Sequence, residues 1–368
     1  MIWVCAPALA AAAYWFLVIV AALRWKPPAP LRDSPQPGIS LLKPVRGRDP
    51  HFYEAIRSHA LQKYPDYEIL FGVADPDDPA IGDIRRLMAE FPDRAIRLIV
   101  ASTRFPNAKV GVLNDLATQA RYPLLLVNDS DIRVEAGYLA LVSSVLQQPG
   151  VGLVTCLYGA ESDTRPGTWE ALGVATEFAP SVLVARMLGS AEFALGSTLL
   201  LRAEDLRRAG GFAAIGDYLA DDYQLGLHIY RLGMKVAFAP LAVKTNLSGD
   251  SWGQVWRHQL RWSRSIRISR PGGYYGYAVT HATFWALVAL AAGFWQAAAV
   301  ALGLRLAGGV LVGWRALRDR SVAIRAWLIP FRDLWGFAIW VCGIFGRTVE
   351  WRGKHLKIAP DGRIITDL

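Results

Sequence analysis

Long apolar runs lie near both ends of the 368-residue chain, and shorter ones recur through its middle. The stretch from Trp3 to Leu23 has no charged side chain, is long enough to cross a bilayer and is followed by Arg24 and Lys26. A cleaved signal peptide fits less well, because no basic residue precedes this stretch and it is longer than a typical signal core. We therefore predict a retained transmembrane anchor over residues 1–26.

Strand-like apolar segments alternate with helical stretches in the middle of the chain, after a proline-rich linker over Lys26–Gly38. This alternation favours an α/β fold, with a mostly parallel sheet covered by helices on both faces. No G-x-G-x-x-G or P-loop signature is present, which disfavours a dinucleotide or Walker site. The predicted strands are Ile39–Leu42, Tyr67–Ala74, Ile96–Val100, Leu124–Val127 and Val151–Leu157, and the predicted helices are Phe52–Gln62, Ala80–Glu90 and Val110–Gln119.

The last third of the chain is again apolar. Tyr277–Trp314 contains Arg305 as its only formally charged residue, and its length favours two closely connected spans. A cluster of arginines follows and is expected on the cytoplasmic side. The segment Ala326–Gly346 includes a proline, Arg332 and Asp333, so a span, a re-entrant element and an interfacial helix all remain open. We favour an element that does not cross, which leaves the basic tail inside the cell.

Composition narrows the range of partners. The chain is 53% hydrophobic and has a formal net charge of +9. A membrane surface explains this charge better than nucleic acid does, because the basic residues lie beside tryptophans and apolar spans. Cys5, Cys156 and Cys342 are widely spaced without a CxxC, which indicates neither a disulfide framework nor a zinc site.

Two acidic residues, Asp129 and Asp131, follow the predicted strand Leu124–Val127. In open α/β sheets, ligands bind outside the carboxyl ends of the strands. Two carboxylates one residue apart can share a divalent cation, and magnesium favours a few carboxylates together with phosphate oxygens of the substrate. For an isolated Asp-x-Asp, a polar exit from the strand is the simpler interpretation.

Further polar residues occupy positions suited to a nucleotide and an acceptor. Asp75 ends its strand, where a carboxylate can accept hydrogen bonds from a base or ribose, although turn formation alone also explains it. Lys109 begins a helix that can aim its ammonium at a nucleotide, with a surface lysine as the alternative. Asp221 and Asp222 lead into the amphipathic segment Tyr223–Leu232. One of them can cap the helix, and the other can act as general base toward an acceptor hydroxyl.

The segment Ser251–Arg270 predicts an amphipathic helix suited to the bilayer interface, with arginines at helical spacing along one side. In a functional interpretation, His258 and Arg261 neutralise a leaving diphosphate and Trp262 forms a wall of the acceptor pocket. An ordinary interfacial helix is the alternative for the arginines.

Taken in order, Asp75, Asp129-Ser-Asp131, Asp222 and His258-Gln-Leu-Arg261-Trp262 resemble the D, D, D, (Q/R)xxRW signature of inverting GT-A glycosyltransferases. Within that superfamily the chain most resembles ceramide glucosyltransferases, family 21, and their bacterial relatives in hopanoid biosynthesis. The local match Val349-Glu-Trp-Arg-Gly353 extends the similarity over nearly the whole chain. Two departures stand out: a histidine occupies the first position of the last motif, and the Asp-x-Asp is complete.

The resemblance implies a GT-A nucleotide-diphospho-sugar transferase domain over residues 27–250. It follows the anchor at 1–26 and precedes an interfacial helix at 251–275 and a membrane region with a basic tail at 276–368. The expected location is the bacterial inner membrane, with the catalytic domain on the cytoplasmic side.

The implied reaction is inverting transfer of a hexose or N-acetylhexosamine from a UDP-sugar to the hydroxyl of a membrane lipid, ceramide or hopanoid. The alternatives are a polyprenyl-phosphate or polysaccharide glycosyltransferase and, outside enzymes, a nucleotide-binding membrane scaffold. The implied roles are Asp222 as general base; Asp129 and Asp131 as ligands of Mg²⁺ or Mn²⁺; Asp75, Lys109, Asp129, His258, Arg261 and Trp262 at the donor; and Asp221 and Trp262 on the acceptor side.

Overall fold

A computed structural model of the chain describes residues 2–26, 29, 35–190, 192–247, 251–351 and 354–365. Much of the predicted linker, the domain boundary at residue 250 and part of the match at 349–353 lie outside these residues. The chain divides into two compact units. We call Lys26–Tyr158, Ala191–Asn246 and Arg363–Leu368 the sheet unit, and Met1–Trp25, Gly159–Ser190 and Leu247–Gly362 the helical unit. Residues 159–190 thus group with the helical unit, a division that the continuous range 27–250 does not make.

The regular elements follow one another along both units. The strands are β1 (Ile39–Val45), β2 (Tyr67–Val73), β3 (Ala95–Val100), β4 (Leu124–Val127), β5 (Ile132–Arg133), β6 (Val151–Glu161), β7 (Leu199–Arg202), β8 (Lys235–Asn246), β9 (Thr348–Trp351), β10 (Lys354–Ile358) and β11 (Ile364–Ile365). The α-helices are α1 (Ile2–Arg24), α2 (Phe52–Ala60), α3 (Ile81–Glu90), α4 (Ala108–Gln119), α5 (Tyr138–Leu146), α6 (Arg165–Gly173), α7 (Ala179–Met187), α8 (Ala203–Arg208), α9 (Asp221–Arg231), α10 (Trp252–Ser269), α11 (Pro271–Gly276), α12 (Ala282–Ala291), α13 (Trp295–Arg315), α14 (Ser321–Ile324) and α15 (Ile329–Ile344). A π-helical turn, Val174–Phe178, joins α6 to α7.

The main sheet of the sheet unit has, within the described residues, eight strands in the order β3-β2-β1-β4-β7-β6-β8-β5. Strands β3, β2, β1 and β4 are parallel, whereas β7 is antiparallel to both β4 and β6. The α/β class is confirmed, but the sheet is mixed rather than mostly parallel. The strand–helix alternation ends at β4, since β5 follows it with no intervening helix, and antiparallel pairs need no crossover helix.

The central strands are buried on both faces, as expected for strands between two helical layers. Successive side chains point to opposite faces. Leu41 and Leu126 therefore belong to one core cluster, with residues of α2, α3 and α5. Leu42 and Val127 belong to the other, with residues of α4 and α9. Because helices cover both faces of the sheet, the polar side chains that can reach a ligand lie at the ends of the strands.

Three of the described helical segments in the helical unit are long and apolar enough to cross a membrane: Cys5–Arg24, Trp295–Arg315 and Ala326–Ile344. The first matches the predicted anchor. The prediction of two spans over 277–314 is wrong for the described helices, because α12 has 10 residues. Such a helix is about 15 Å long, half the hydrocarbon thickness. For the last segment, length and composition favour a span over the non-crossing element that we expected.

Charged residues of these apolar segments are paired inside the helical unit. Arg305 is fully buried, with Nε 3.2 Å from Asp333 Oδ1. Its Nη1 donates to the Thr176 carbonyl at 3.0 Å, and its guanidinium lies 4.1 Å from the Trp15 ring centroid. Arg332 Nη2 lies 3.2 Å from Glu177 Oε2. Ionisable residues within membrane segments usually face the protein interior and pair with one another, as these do.

Asp333→Ala should strongly destabilise the chain, because it leaves the Arg305 guanidinium buried without its carboxylate. Loss of one partner from a buried pair costs about 3–5 kcal/mol. Glu350→Ala is the matched control, since the exposed pair of Arg257 Nε and Glu350 Oε2 at 3.3 Å should contribute less than about 1 kcal/mol. Thermal unfolding of the detergent-purified variants measures both, and equal losses would contradict the assignment.

Candidate active site

The parallel strands bring two of the predicted acidic residues to the same edge of the sheet. Strands β2 and β4 both pair with β1 in parallel, so their carboxyl ends point the same way. Asp75 follows β2 and Asp129 follows β4, each two residues beyond the end of its strand. This edge is where ligands bind in open α/β sheets.

Lys109 connects the exit of β4 to the start of α9. Its Nζ lies 2.8 Å from Asp129 Oδ1 and 3.1 Å from Asp221 Oδ2. Lys109 is placed by the N-terminus of α4, which Asn107 caps: Asn107 Oδ1 accepts from the Lys109 and Val110 backbone N–H groups at 3.1 and 3.3 Å. The capped helix therefore fixes the point from which the ammonium reaches both carboxylates.

Asp222 lies in the same region as Lys109, Asp129 and Asp221, and a hydrogen bond from Gly196 holds it there. The Gly196 backbone N–H donates to Asp222 Oδ2 at 2.9 Å. A Cβ added at Gly196 would lie 3.2 Å from Asp129 Oδ2 and 3.4 Å from Asp222 Oδ2. Both carboxylates thus approach one glycine, and the lack of a side chain there permits it. We call Lys109, Asp129, Asp221 and Asp222 the acidic cluster.

Burial and neighbouring charges set the protonation of the acidic cluster. Burial raises the pKa of Asp222 to about 6, the negative charge of Asp221 adds to this effect, and Lys109 opposes it. Burial alone would lower the pKa of Lys109, but Asp129 and Asp221 outweigh it and the net pKa is raised. Lys109 therefore stays charged, and Asp222 titrates near the pH range in which a general base works best.

Asp221 and Asp222 differ in their surroundings. Asp221 is buried, and besides Lys109 its Oδ1 accepts from Asn107 Nδ2 at 3.5 Å. Asp222 is only partly buried and bonds to backbone N–H groups. Both lie in the first turn of α9, so neither is the N-cap that the sequence suggested; Ala220 holds that position. Asp222 is thus the better placed to accept a proton, and the acceptor-side role of Asp221 stays a prediction.

Asp131 points to a different partner from Asp129. Its Oδ2 accepts a hydrogen bond from the Thr245 hydroxyl on β8, the strand paired with β5. Burial raises the pKa of Asp131 to about 6, and the charge of Asp129 adds to this effect. Among the described residues, no three His, Cys, Asp or Glu side chains form a group that could hold a metal ion. Two carboxylates one residue apart can share a cation that takes its remaining ligands from phosphate oxygens, and the role of Asp129 and Asp131 as metal ligands stays a prediction.

Asp75 has its described side-chain hydrogen bond within its own turn, where Oδ1 accepts from the Asp77 N–H at 3.0 Å. This is the turn chemistry that the sequence offered as the simpler interpretation. Asp75 shares the sheet edge with Asp129, but no contact between Asp75 and the acidic cluster is described. Its role at the nucleotide stays a prediction.

Helix α10 of the helical unit carries the three residues of the last motif. Ser251 and Gln254 form a capping box at its start, and the helix covers most of the predicted segment Ser251–Arg270. The His258 ring centroid lies 4.6 Å from that of Trp262, while His258 Nδ1 lies 2.6 Å from Glu170 Oε1. Arg261 lies on the same helix, one residue before Trp262. The donor roles of these residues stay predictions.

Lys43 is a site residue that the sequence analysis missed. It is fully buried in β1, where Nζ donates to the Asp129 carbonyl at 3.0 Å and lies 3.5 Å from His59 Nε2. Burial lowers the pKa of Lys43 to about 7, against the opposing effect of Asp131 and Asp129. Lys43 thus holds the backbone that carries Asp129. A lysine inside an otherwise uncharged strand was the available signal.

Comparison with known proteins identifies the family. The profile described as glycosyl transferase family 21 matches residues 2–364. The chain belongs to this family. Family 21 membership agrees with the resemblance drawn from the ordered acidic residues and the xxRW motif, and the prediction of the family is confirmed.

The family 21 chain is similar to curated ceramide glucosyltransferases. It is 28% identical to ceramide glucosyltransferase 3 of Caenorhabditis elegans, over 64% of this chain and 52% of that protein. It is 26% identical to ceramide glucosyltransferase 1 of the same organism, over 64% of this chain and 51% of that protein. The chain therefore spans about half the length of these relatives.

The fold of the family 21 chain is also found in a solved structure. This is the mannosyltransferase PcManGT from Pyrobaculum calidifontis in complex with GDP-Man and Mn²⁺. The TM-score is 0.56 at 18% identity, and the match covers 93% of this chain and 97% of the other. At this identity the likeness concerns the fold, and it agrees with the predicted GT-A architecture.

Lys109→Met should shift the pH dependence of sugar transfer, because it removes the positive charge that lowers the pKa of Asp222. The pKa of Asp222 then rises above about 6, so acidification protonates the carboxylate earlier and the acid limb moves upward by about one pH unit. The measurement is kcat/KM against pH. Lys109→Arg keeps the charge and should keep the limb in place, and an unmoved limb in Lys109→Met would contradict this electrostatic assignment.

Proposed function

We propose that this family 21 chain transfers one sugar from a UDP-sugar to the hydroxyl of a membrane lipid, with inversion at the anomeric carbon. The observation that carries the proposal is the acidic cluster, in which Asp222 and Asp129 approach the same glycine beside the charged Lys109. A general base and a leaving-group site that both approach one glycine suit a single displacement. Membership in family 21 and the ceramide glucosyltransferase relatives support the reaction class.

In the proposed mechanism Asp222 takes the proton of the lipid hydroxyl. The hydroxyl oxygen forms its bond to the anomeric carbon while the bond between that carbon and the diphosphate oxygen breaks, and UDP leaves from the opposite face. The Gly196 N–H holds one carboxylate oxygen of Asp222 in a fixed orientation, which favours proton transfer to a positioned base. The raised pKa of Asp222 strengthens it as a base relative to an exposed aspartate.

The leaving diphosphate needs positive charge around it. A bound Mg²⁺ or Mn²⁺ on Asp129 and Asp131 would act as a Lewis acid toward the diphosphate. Among the chain's own residues, Lys109 supplies a positive charge beside Asp129, and Asp75 is proposed to contact the nucleotide from the end of β2. By the family motif, His258, Arg261 and Trp262 also serve the donor, with Trp262 and Asp221 assigned to the acceptor side.

The acceptor is proposed to be a lipid that carries a hydroxyl group, ceramide or a hopanoid. Three helical segments of spanning length attach the chain to a bilayer, so a water-soluble donor and a lipid acceptor can meet on one protein. Ceramide is favoured by the names of the similar curated proteins. The proposed location is the bacterial inner membrane with the sheet unit in the cytoplasm, because Arg24 and Lys26, which lie where the chain passes from the first apolar segment to the sheet unit, favour that side.

Purified protein should be incubated with radiolabelled UDP-glucose, UDP-N-acetylglucosamine and UDP-galactose, each with ceramide or with a total bacterial lipid extract. We expect a labelled lipid that carries one sugar, identified by mass spectrometry. A labelled polymer, a labelled polyprenyl phosphate, or no product with any pair would contradict the proposal.

Asp222→Asn should lower the transfer rate by about 10²- to 10⁴-fold, because the amide cannot accept the hydroxyl proton. UDP binding, measured by calorimetry, should stay near that of the wild type. Asp217→Asn is the matched control, since Asp217 is exposed in the preceding loop. Near-normal turnover in Asp222→Asn would exclude this residue as the base.

Chelation of divalent cations with EDTA should abolish transfer, and added Mg²⁺ or Mn²⁺ should restore it. Asp129→Ala should weaken UDP binding in the presence of metal, because one of two proposed ligands is lost. Calorimetry with and without metal measures this effect. Full activity after chelation would show that the two carboxylates have another role.

A further inference from the structure

The loop that joins two segments of spanning length carries positive charge and exposed aromatic rings. It runs from Trp314, near the end of α13, to Trp327, just before α15, and lies within the helical unit. We call residues 314–327 the arginine loop. The flanking segments Trp295–Arg315 and Ala326–Ile344 are each long and apolar enough to cross a membrane. A bilayer crossed by both segments therefore has the arginine loop at its surface.

The charge of the arginine loop is positive and accessible. Four arginines and one aspartate give it a formal net charge of +3. The exposed arginines are Arg315, Arg318 and Arg320. Arg325 is partly buried, and its Nη1 donates to Ser321 Oγ at 2.7 Å. Asp319 is occupied within the loop, where its Oδ1 accepts from the Ser321 N–H at 2.8 Å. Within the described part of the chain no carboxylate pairs with the three exposed arginines, so their charge is available to an anionic partner.

Arg318 has a backbone conformation that favours glycine. Its φ is 55°, in the left-handed region. It follows the end of α13, where the Asp319 N–H donates to the Gly313 carbonyl at 2.9 Å. Helices commonly end with a glycine in this conformation, because a side chain there has a steric cost. Glycine would serve the fold better at this position, which indicates that the guanidinium of Arg318 has a function.

Packing within the helical unit fixes the arginine loop. Val322 on α14 is buried, and a Cβ added at Gly313 would lie 2.8 Å from its Cγ2, so α14 packs closely against α13. Leu317 is buried as well. Three large apolar side chains of the loop are exposed instead: Trp314 at 57%, Ile324 at 80% and Trp327 at 68%. Tryptophan is enriched at the interface between membrane and water, where its ring contacts both.

We infer that the arginine loop binds the headgroup of an anionic phospholipid. A guanidinium can donate two parallel hydrogen bonds to phosphate oxygens, and the exposed arginines supply such groups beside apolar side chains that can contact the acyl chains. A zwitterionic lipid offers the same phosphate, but its ammonium group cancels the charge, so it binds more weakly. This inference goes beyond the proposed sugar transfer and needs only the attachment of the chain to a membrane.

Native mass spectrometry of the full-length chain in neutral detergent measures the lipid retained, with phosphatidylglycerol and phosphatidylcholine of identical acyl chains as probes. We expect a Kd for phosphatidylglycerol at least about tenfold below that for phosphatidylcholine. The triple variant Arg315→Gln/Arg318→Gln/Arg320→Gln should bring the two Kd values within about twofold, since each arginine near an anionic headgroup contributes about fivefold in affinity.

The charge-matched control is Arg85→Gln/Arg207→Gln/Arg231→Gln, which removes three exposed arginines of the sheet unit. It should keep the preference for phosphatidylglycerol. An unchanged preference in the arginine-loop variant, or an equal loss in the control, would overturn the inference. Soluble glycerol 3-phosphate should not displace the lipid at equal concentration, because it has no acyl chains. Displacement by it would show a site for a free phosphate and would overturn the lipid assignment.

Arg318→Gly separates binding from stability. Glycine adopts a φ of 55° without steric cost, so this variant should not lower the thermal unfolding midpoint in neutral detergent. It should reduce the preference for phosphatidylglycerol by about fivefold. A lowered midpoint with an unchanged preference would show that Arg318 serves the fold and would count against the inference. Neither UDP-sugar nor acceptor is present in these measurements, so the proposed sugar transfer can fail while the lipid preference stands, and the reverse.

Discussion

The sheet unit depends on one electrostatic constraint, the position of the Lys109 ammonium between Asp129 and Asp221. Three carboxylates meet where β4 ends and α9 begins, and without a cation their mutual repulsion would favour protonation or separation. Lys109 forms ion pairs with two of them, Asp129 and Asp221, and opposes the rise in the pKa of the third, Asp222. The same contact links the N-terminus of α4 to the residues that follow β4. The position of Asp222 and the arrangement of the sheet therefore depend on one interaction.

The helical unit also contains buried charged residues, and these lie in apolar segments. Arg305 pairs with Asp333, and Arg332 with Glu177, so the charges of segments long enough to span a membrane are neutralised within the protein. Arg332 also donates to Gln259 Oε1 at 3.1 Å, and Gln259 directly follows His258 on α10. The packing of α15 and the orientation of the helix that carries the xxRW motif are therefore physically connected. The buried ion pair of Arg332 on α15 and the xxRW helix α10 thus belong to one polar network.

Local patterns predicted much of this structure. The strand Leu124–Val127 has the predicted bounds. The sequence also predicts Asp129, Asp221, Asp222 and Lys109 as site residues, and in the structure Lys109 pairs with Asp129 and Asp221. The features that were missed depend on partners distant in the sequence. Glu170 lies 88 residues from His258, and the antiparallel pairing of β7 leaves no trace in the apolar pattern. Hydropathy also did not separate the short helix α12 from a full span, since both are uniformly apolar.

The measurement that tests the central claim most directly is an experimental structure of the full chain with UDP and Mn²⁺. The account predicts the diphosphate beside Asp129 at the carboxyl ends of β1, β2 and β4, with Asp129 and Asp131 as the residues that would hold the metal. It further predicts the Asp222 carboxylate on the opposite side of the position that the anomeric carbon takes. UDP bound elsewhere, with the acidic cluster unchanged and empty, would contradict the account.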